Sequence, residues 1–237
     1  MSTLLLLRHG QAHAFDADSD RLTERGVHQA QVLGEALANA GVVPDEVVTG
    51  SLVRQRRTAE GVRAAYEARG LPFPELRQDP SWNEYDAGGI LGSLLPALAA
   101  RDAPFAGLVT EFQGAAARAD RNRHFQRMFE VLMAEWARGN VTSEGVESFA
   151  SFHARVRGAL RGIVTRRGAG TVLAFTSGGP IGVSVQDVLD APPETALRVN
   201  FRVKNASVTE LVFSEGRVSL DRFNGVEHLP PELRTFR

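Results

Sequence analysis

A run of four leucines near the start of the chain, Leu4 to Leu7, constrains the fold more than any other feature. Strands covered on both faces have unbroken apolar runs, whereas a strand with one wet face alternates apolar and polar residues. Residues 2–8 are therefore predicted to form a buried strand of a parallel sheet. Arg8, His9 and Gly10 close this segment, so the strand delivers two anion-binding side chains to the rim of the sheet.

Strand and helix patterns alternate after this strand. Residues 22–41 have apolar residues at helical spacing, with Thr23 as the predicted N-cap and a glycine at the end. Residues 44–50 predict a short second strand. Ser51 is predicted to cap the next helix, which Gly70 closes.

The same alternation returns in the second half of the chain. Residues 147–168 are predicted to be helical, residues 171–176 to form a strand, and a further helix to begin at Ser177. Residues 206–223 have the pattern of an antiparallel hairpin. Strands separated by helices in this way predict an α/β fold, a three-layer α/β/α sandwich around a mainly parallel sheet.

The length of 237 residues suits a single domain spanning residues 1–237. Residues 90–140 interrupt the alternation and are predicted to be a helical insertion within that domain. One helical face there is apolar and consists of Phe125, Phe129, Leu132 and Trp136. A segment of about 50 residues makes a poor independent core, which argues against a separate domain.

Composition excludes several classes of function. The chain has no cysteine, which removes disulfides, thiol nucleophiles and cysteine-bound metals. The net charge of −1 gives no electrostatic reason to bind nucleic acid or acidic lipid. The initial apolar run is too short for a signal sequence or a membrane span. We therefore expect a soluble, cytoplasmic protein with no nucleic-acid or membrane partner.

Three predicted strand ends have residues that bind anions. The first carries Arg8 and His9, the second leads to Arg54 in the first helical turn, and the third continues into Ser177 and Gly178. Ligands of open α/β sheets bind at the carboxyl ends of the strands, and helix N-termini favour anions. Each feature alone is compatible with an ordinary surface loop, but the three together favour an oxyanion pocket.

Other ligand classes lack their motifs. The first strand is not followed by a G-x-G-x-x-G sequence, and no G-x-x-x-x-G-K-[ST] segment occurs. His9 and His13 flank a glycine turn and not a helix, so they do not form the pattern of a metal pair. No metal site is predicted.

Several segments in order resemble the histidine phosphatase superfamily, which includes the cofactor-dependent phosphoglycerate mutases. They are "LLLLRHGQA", "LTERGVHQAQVLG", "SLVRQRRTAE", "WNEYDAGGIL" and "FTSGGPIG". The resemblance implies that His9 is a nucleophile that forms a phosphohistidine. It also implies that Arg8 and Arg54 bind the phosphoryl oxygens, with Ser177 and Gly178 as further phosphate contacts.

The resemblance further implies a general acid at Glu84, which would protonate the departing alkoxide. Asp86, two residues later, is a weaker candidate for that role. Without the resemblance, Glu84 would be interpreted as an ordinary loop carboxylate.

Two positions depart from the family pattern. Ser177 stands where the family has a second histidine, and Phe15 stands where the mutase-type members have an asparagine. A serine donates one hydrogen bond but carries no charge, and losing such a donor costs about 10²–10³ in rate. His13 and His124 are candidate replacements for the missing histidine. Slow chemistry is therefore expected unless another group compensates.

The sequence therefore predicts a phosphomonoester hydrolase that acts through a phosphohistidine on a small phosphorylated molecule. It would bind phosphorylated substrate or inorganic phosphate and need no metal or organic cofactor. Ser177 favours one alternative, a catalytically impaired protein that binds phosphorylated ligands. A mutase-type phosphotransferase is a weaker alternative. The pattern predicts neither the substrate nor the oligomeric state.

Overall fold

The computed structural model describes residues 1–13, 20–214 and 217–236, without the side chain of Arg118. Its strands in these ranges are β1 (Ser2–Arg8), β2 (Glu46–Thr49), β3 (Leu76–Gln78), β4 (Thr171–Thr176), β5 (Val208–Ser214) and β6 (Arg217–Gly225). They form one sheet in the order β3-β2-β4-β1-β5-β6. The pairs β3–β2, β2–β4 and β4–β1 are parallel, whereas β5 is antiparallel to both β1 and β6. This mainly parallel sheet confirms the predicted fold class.

Helices connect the strands. Their bounds are α1 (Glu24–Asn39), α2 (Val53–Glu67), α3 (Ala87–Gly89), α4 (Leu95–Ala99), α5 (Ala103–Gly114), α6 (Arg118–Ala137), α7 (Phe149–Val164), α8 (Gly178–Val188) and α9 (Thr195–Asn200). A π-helical turn joins α3 to α4, and 3₁₀ turns lie at Pro80–Trp82 and Pro231–Leu233. Thr23 caps α1 as predicted, because its hydroxyl accepts a hydrogen bond from the Gly26 N–H at 3.0 Å.

The main core confirms that β1 is covered on both faces. All four leucines of the run are at most 3 % exposed. Leu5 and Leu7 share one apolar cluster with residues of α1 and α2, among them Leu33 and Val62. Because successive side chains point to opposite faces of a strand, the burial of Leu4 and Leu6 means that the other face is also covered.

Two details of the second βα unit differ from prediction. Ser51 does not cap α2, since the helix begins at Val53 and Leu52 occupies the N-cap position. The carboxylate of Asp20 accepts the first N–H groups of the helix instead, at 2.7 Å from Val53 and 3.4 Å from Arg54. Strand β3 was not predicted, because its three residues carry no apolar alternation.

The described chain divides into two compact units. One contains Met1–Glu84 and Arg155–Arg237, and the other contains Tyr85–Ala154, a range wider than the predicted insertion at 90–140. The apolar face predicted for α6 is largely buried, with Phe129, Leu132 and Trp136 at most 2 % exposed. That the chain is a single domain with an insertion stays a prediction.

Candidate active site

His9 lies directly after β1, at the carboxyl ends of two neighbouring parallel strands. Arg8 and Thr176 are register partners in β1 and β4, and the His9 N–H donates to the Thr176 carbonyl at 2.9 Å. On the other side, the His9 carbonyl accepts from the Ala206 N–H at 3.2 Å. The residue is 6 % exposed, so the sheet and a neighbouring loop hold it in place with little access for water.

The surroundings of the His9 ring define its protonation state. Its Nδ1 atom lies 2.7 Å from the Gly10 carbonyl, which can only accept, so Nδ1 carries the hydrogen. Burial lowers the pKa of His9 well below its usual value, the positive charges of Arg54 and Arg8 lower it further, and the bond to Gly10 partly opposes them. At neutral pH the ring is therefore uncharged, with a lone pair on Nε2.

Arg54 lies in the first turn of α2 and contacts this lone pair. Its Nε atom donates to His9 Nε2 at 3.2 Å, and its Nη1 atom donates to Asp20 at 2.8 Å. The side chain of Arg54 is 19 % exposed and that of Asp20 is 35 % exposed. The guanidinium is thus held between the imidazole and a carboxylate, at the place where the sequence predicts an anion.

Arg8 extends from the last position of β1 towards another loop. Its Nη1 atom donates to the Val203 carbonyl, and its charge contributes to the lowered pKa of His9. The structure therefore brings both predicted arginines into the electrostatic environment of the imidazole, and Arg54 donates a hydrogen bond to the ring.

The loop after β1 packs tightly against the first two helices. The Gly10 N–H donates to the Thr58 hydroxyl at 3.0 Å, and that hydroxyl donates to the Arg54 carbonyl at 2.7 Å. A Cβ atom on Gly10 would lie only 2.3 Å from the Gly26 carbonyl oxygen of α1. Glycine is therefore required here for close approach, and the same contacts hold the loop after β1 and helix α2 together.

Two buried amides tie this loop to the segment around Thr235. Gln29 accepts from the Gln11 N–H at 2.7 Å and donates to the Thr235 hydroxyl at 2.8 Å. That hydroxyl donates to Asn205 at 3.0 Å, and Asn205 donates to the His9 carbonyl at 3.3 Å. A continuous chain of hydrogen bonds therefore runs from one side of the His9 loop through Thr235 to the other.

Ser177 and Gly178 follow β4, as predicted, and begin α8. Ser177 occupies the N-cap position with no side-chain capping bond, and it is fully buried. A Cβ atom on Gly178 would lie 2.3 Å from Asn200 Oδ1 of α9, so packing alone also requires a glycine there. The Ser177 hydroxyl instead accepts from Gln55 at 2.9 Å.

Glu84 also reaches the N-terminus of α8. Its Oε2 atom accepts from the Gly179 N–H at 3.1 Å, two residues after Ser177. The guanidinium of Arg155 donates to the carbonyls of Ser81, Asn83 and Glu84 at 3.0, 2.8 and 3.3 Å. Arg155 thus fixes the backbone from which the predicted acid extends.

The weaker candidates lie in other settings. Asp86 caps α3, accepting from the Gly89 N–H at 2.9 Å. His13 is exposed, and His124 lies 3.3 Å from Glu111 in the unit Tyr85–Ala154. Phe15 lies outside the described residues.

Two features are absent from the residues that the structure describes. No group of three or more His, Cys, Asp or Glu side chains is placed there to hold a metal ion. None of the helices described there combines the length and apolar character needed to cross a bilayer.

Sequence reasoning missed three residues that organise this site: Asp20, Gln55 and Arg155. Gln55 shares a helical face with Thr58, Ala59 and Val62, at the i, i+3, i+4 and i+7 spacing that predicts burial, and this signal was available. Asp20 and Arg155 act across 34 and more than 70 positions of sequence, and no local pattern indicates such contacts.

Comparison with known proteins places the chain in a family. The model of the histidine phosphatase superfamily (branch 1) matches residues 4–132 and 111–225, which together span most of the chain. The chain belongs to the histidine phosphatase superfamily.

Curated relatives in this superfamily match a part of the chain. A 2,3-bisphosphoglycerate-dependent phosphoglycerate mutase of Rhizobium meliloti is 36 % identical over 96 residues, or 38 % of this chain and 44 % of the mutase. The mitochondrial serine/threonine-protein phosphatase Pgam5 of Caenorhabditis briggsae is 28 % identical over 94 residues, 35 % of this chain and 33 % of the phosphatase. The chain thus matches less than half the length of either relative.

Solved structures match nearly the whole histidine phosphatase fold of this chain. YhfR of Bacillus stearothermophilus gives a TM-score of 0.64 at 22 % identity, covering 96 % of this chain and 99 % of YhfR. A mycobacterial glucosyl-3-phosphoglycerate phosphatase in complex with inorganic phosphate gives 0.63 at 25 % identity, covering 97 % of this chain and all of that protein. The similarity to YhfR supports the fold alone.

Proposed function

We propose that this chain is a phosphomonoester hydrolase that transfers the phosphoryl group to His9 and then to water. One observation carries the proposal: the unprotonated Nε2 atom of His9 lies 3.2 Å from the Nε atom of Arg54. Guanidinium groups bind phosphoryl oxygens through their planar fork of donors. An anion bound by Arg54 therefore comes to lie beside the lone pair that would attack it.

The first step forms a covalent intermediate. Nε2 of His9 attacks phosphorus, the N–P bond forms, and the bond from phosphorus to the ester oxygen breaks. Arg8 and Arg54 stabilise the negative charge on the phosphoryl oxygens, and the Nδ1–H bond to Gly10 stabilises the positive charge that develops on the ring. Glu84, in its protonated form, donates a proton to the departing alkoxide.

The second step releases phosphate. A water molecule attacks phosphorus while the carboxylate of Glu84 takes one of its protons, and the N–P bond breaks. The products are inorganic phosphate, a neutral His9 and a protonated Glu84, so the cycle closes with one ester and one water consumed. We propose that the chain's own guanidinium groups supply the positive charge for both steps.

The test uses p-nitrophenyl phosphate near pH 6 and the mass of the intact protein after quenching in base. We expect turnover, a mass gain of one phosphoryl group during turnover, and loss of both in His9→Ala. Turnover that survives in His9→Ala would overturn the proposal. The alternative is a protein that binds phosphate without turning over substrate. It would be favoured if inorganic phosphate raises the Tm of the unsubstituted chain while that chain shows neither turnover nor mass gain.

The same assay separates hydrolysis from transfer. The similarity to phosphoglycerate mutases makes a phosphorylated hydroxy acid a suitable second substrate. We expect release of inorganic phosphate from 3-phosphoglycerate or from p-nitrophenyl phosphate. Isomerisation of 3-phosphoglycerate without release of phosphate would show a phosphotransferase instead.

A further inference from the structure

Two fully buried polar side chains, one from α2 and one at the end of β4, are hydrogen-bonded to each other. Gln55, next to Arg54 in α2, donates from Nε2 to the hydroxyl oxygen of Ser177 at 2.9 Å. Both residues are 0 % exposed. A buried polar group that lacks a partner costs free energy, so this pair is a built feature of the interior and not a chance surface contact.

The other contacts of Gln55 define which way its amide points. Nε2 also lies 3.0 Å from the Trp82 carbonyl, which only accepts, and Oε1 lies 3.3 Å from the Leu52 N–H, which only donates. Flipping the amide would break both bonds. Ser177 must therefore accept the hydrogen bond from Gln55.

The Ser177 hydroxyl consequently has a hydrogen to donate. A hydroxyl carries one hydrogen and two lone pairs, and Gln55 occupies one lone pair. Within residues 1–13, 20–214 and 217–236, the structure gives this hydrogen no acceptor. The hydroxyl oxygen also accepts no N-cap bond from the helix, and the Gly179 N–H donates to Glu84 instead.

The backbone places Ser177 at the same edge of the sheet as His9, at the end of the neighbouring strand. Ser177 follows Thr176 in β4 as His9 follows Arg8 in β1, and Arg8 and Thr176 are register partners in adjacent parallel strands. The two side chains therefore leave the same edge of the sheet from neighbouring strands.

We propose that Gln55 is a positioning residue that orients the Ser177 hydroxyl to donate a hydrogen bond to the phosphoryl group on His9. This inference rests on the proposed function. Arg54 and Gln55 are consecutive in α2. One helical turn therefore supplies both the guanidinium that binds the phosphoryl group and the amide that orients the Ser177 hydroxyl. The site is thereby built around serine, and the pair compensates in part for the charge that a histidine would bring.

A kinetic cycle tests the coupling of the two residues. Gln55→Met keeps the length of the side chain without its donors, and Ser177→Ala removes the hydroxyl. We expect each variant to lower kcat about 10²- to 10³-fold with a smaller change in KM, as for loss of one transition-state donor. The double variant should be no slower than the slower single variant, because Gln55 acts through Ser177. The proposal would be overturned if the two reductions in kcat multiply in the double variant. It would also be overturned if either single variant keeps the kcat of the unsubstituted chain.

Ser184→Ala is the matched control. Ser184 is likewise fully buried in α8, but its hydroxyl donates to the Pro180 carbonyl within the helix. We expect it to keep kcat, so a loss in Ser177→Ala reports the site and not the packing of α8. If His9→Ala abolishes turnover but the reductions in kcat at Gln55 and Ser177 multiply in the double variant, the proposed function stands. Only the positioning role of Gln55 then fails. If His9→Ala retains turnover, the proposed function fails.

Histidine substitution gives a second, independent readout. Gln55 lies in direct contact with the buried Ser177, so we expect the larger imidazole of a histidine at position 177 to need space that Gln55 occupies. We expect Ser177→His alone to lower kcat, and Ser177→His combined with Gln55→Ala to recover it at least in part. A gain in kcat for Ser177→His alone, with Gln55 in place, would contradict the inference.

Discussion

A single backbone carbonyl, that of Gly10, decides which nitrogen of His9 keeps its lone pair. This carbonyl accepts a hydrogen bond from Nδ1, so the lone pair lies on Nε2, the nitrogen that faces Arg54. Burial and two guanidinium groups lower the pKa of the ring, which keeps that lone pair available in mildly acidic solution. At the scale of one residue, the site is prepared by a hydrogen bond and by the exclusion of water.

This arrangement predicts the tautomer of His9 in solution. In ¹⁵N NMR spectra at pH 6, we expect the His9 resonances of a neutral ring with the hydrogen on Nδ1, because its pKa lies well below 6.5. The resonances are assigned by their loss in His9→Ala. An imidazolium signal at pH 6, or a hydrogen on Nε2, would contradict the prediction.

At the scale of the helix, Asp20 has two effects on α2. It accepts the first N–H groups of the helix and pairs with Arg54. Asp20→Ala should lower the free energy of unfolding by about 1 kcal/mol, the usual loss for an N-cap, whereas Asp20→Asn keeps an accepting oxygen and should lose less. Urea denaturation measures both, and equal losses would show that the cap is not the main contribution.

Because Asp20 already pairs with Arg54, we expect it to compete with phosphate for that guanidinium. Removing the charge of Asp20 should tighten the binding of inorganic phosphate while leaving the guanidinium less well held. For Asp20→Asn we therefore expect a lower inhibition constant for phosphate together with a lower kcat. Weaker phosphate binding in this variant would mean that Asp20 assists the anion site.

Arg155 of α7 positions the backbone around Glu84. Lysine keeps the charge but cannot reach three carbonyls as a planar fork does, so Arg155→Lys should displace Glu84 and lower kcat roughly 10²-fold. Arg157→Lys is the matched control on the same helix, because Arg157 pairs with Asp187. Equal losses in both variants would point to a general weakening of α7.

Sequence reasoning recovered the elements whose patterns are local. The leucine run predicted the bounds of β1, and Thr23 predicted the start of α1. It failed at Ser51, because the groups that cap α2 come from a distant loop. It also gave no role to Gln55, since a glutamine among arginines has the composition of a solvated helix face. Its burial follows from helical spacing, but its bond to Ser177 depends on how α2 and β4 come together.

At the scale of the whole molecule, the buried His9 and the half-buried His228 link folding to pH. Burial is the main cause that lowers the pKa of both His9 and His228 in the folded chain. In the unfolded chain, histidine has a pKa of about 6.5 and binds a proton below that pH. The unfolded state therefore takes up more protons as pH falls below 6.5, so acid reduces stability.

The corresponding measurement is urea denaturation at pH 7.5 and 5.5. We expect a lower free energy of unfolding at pH 5.5, and a smaller difference between the two pH values when His9→Ala and His228→Gln are combined. These conditions avoid the range in which most carboxylates titrate. An unchanged difference in the double variant would assign the pH dependence to other groups.

The bonds through Thr235 have a consequence for synthesis of the chain on the ribosome. A nascent chain that ends at Gly225 already contains His9, both arginines, Glu84 and Ser177, but Gln29 and Asn205 still lack the hydroxyl that joins them. The loop that carries His9 can acquire its full set of bonds only after residue 235 has been translated. If this site binds phosphate as proposed, that ability should arrive late in translation, long after His9 itself has been made.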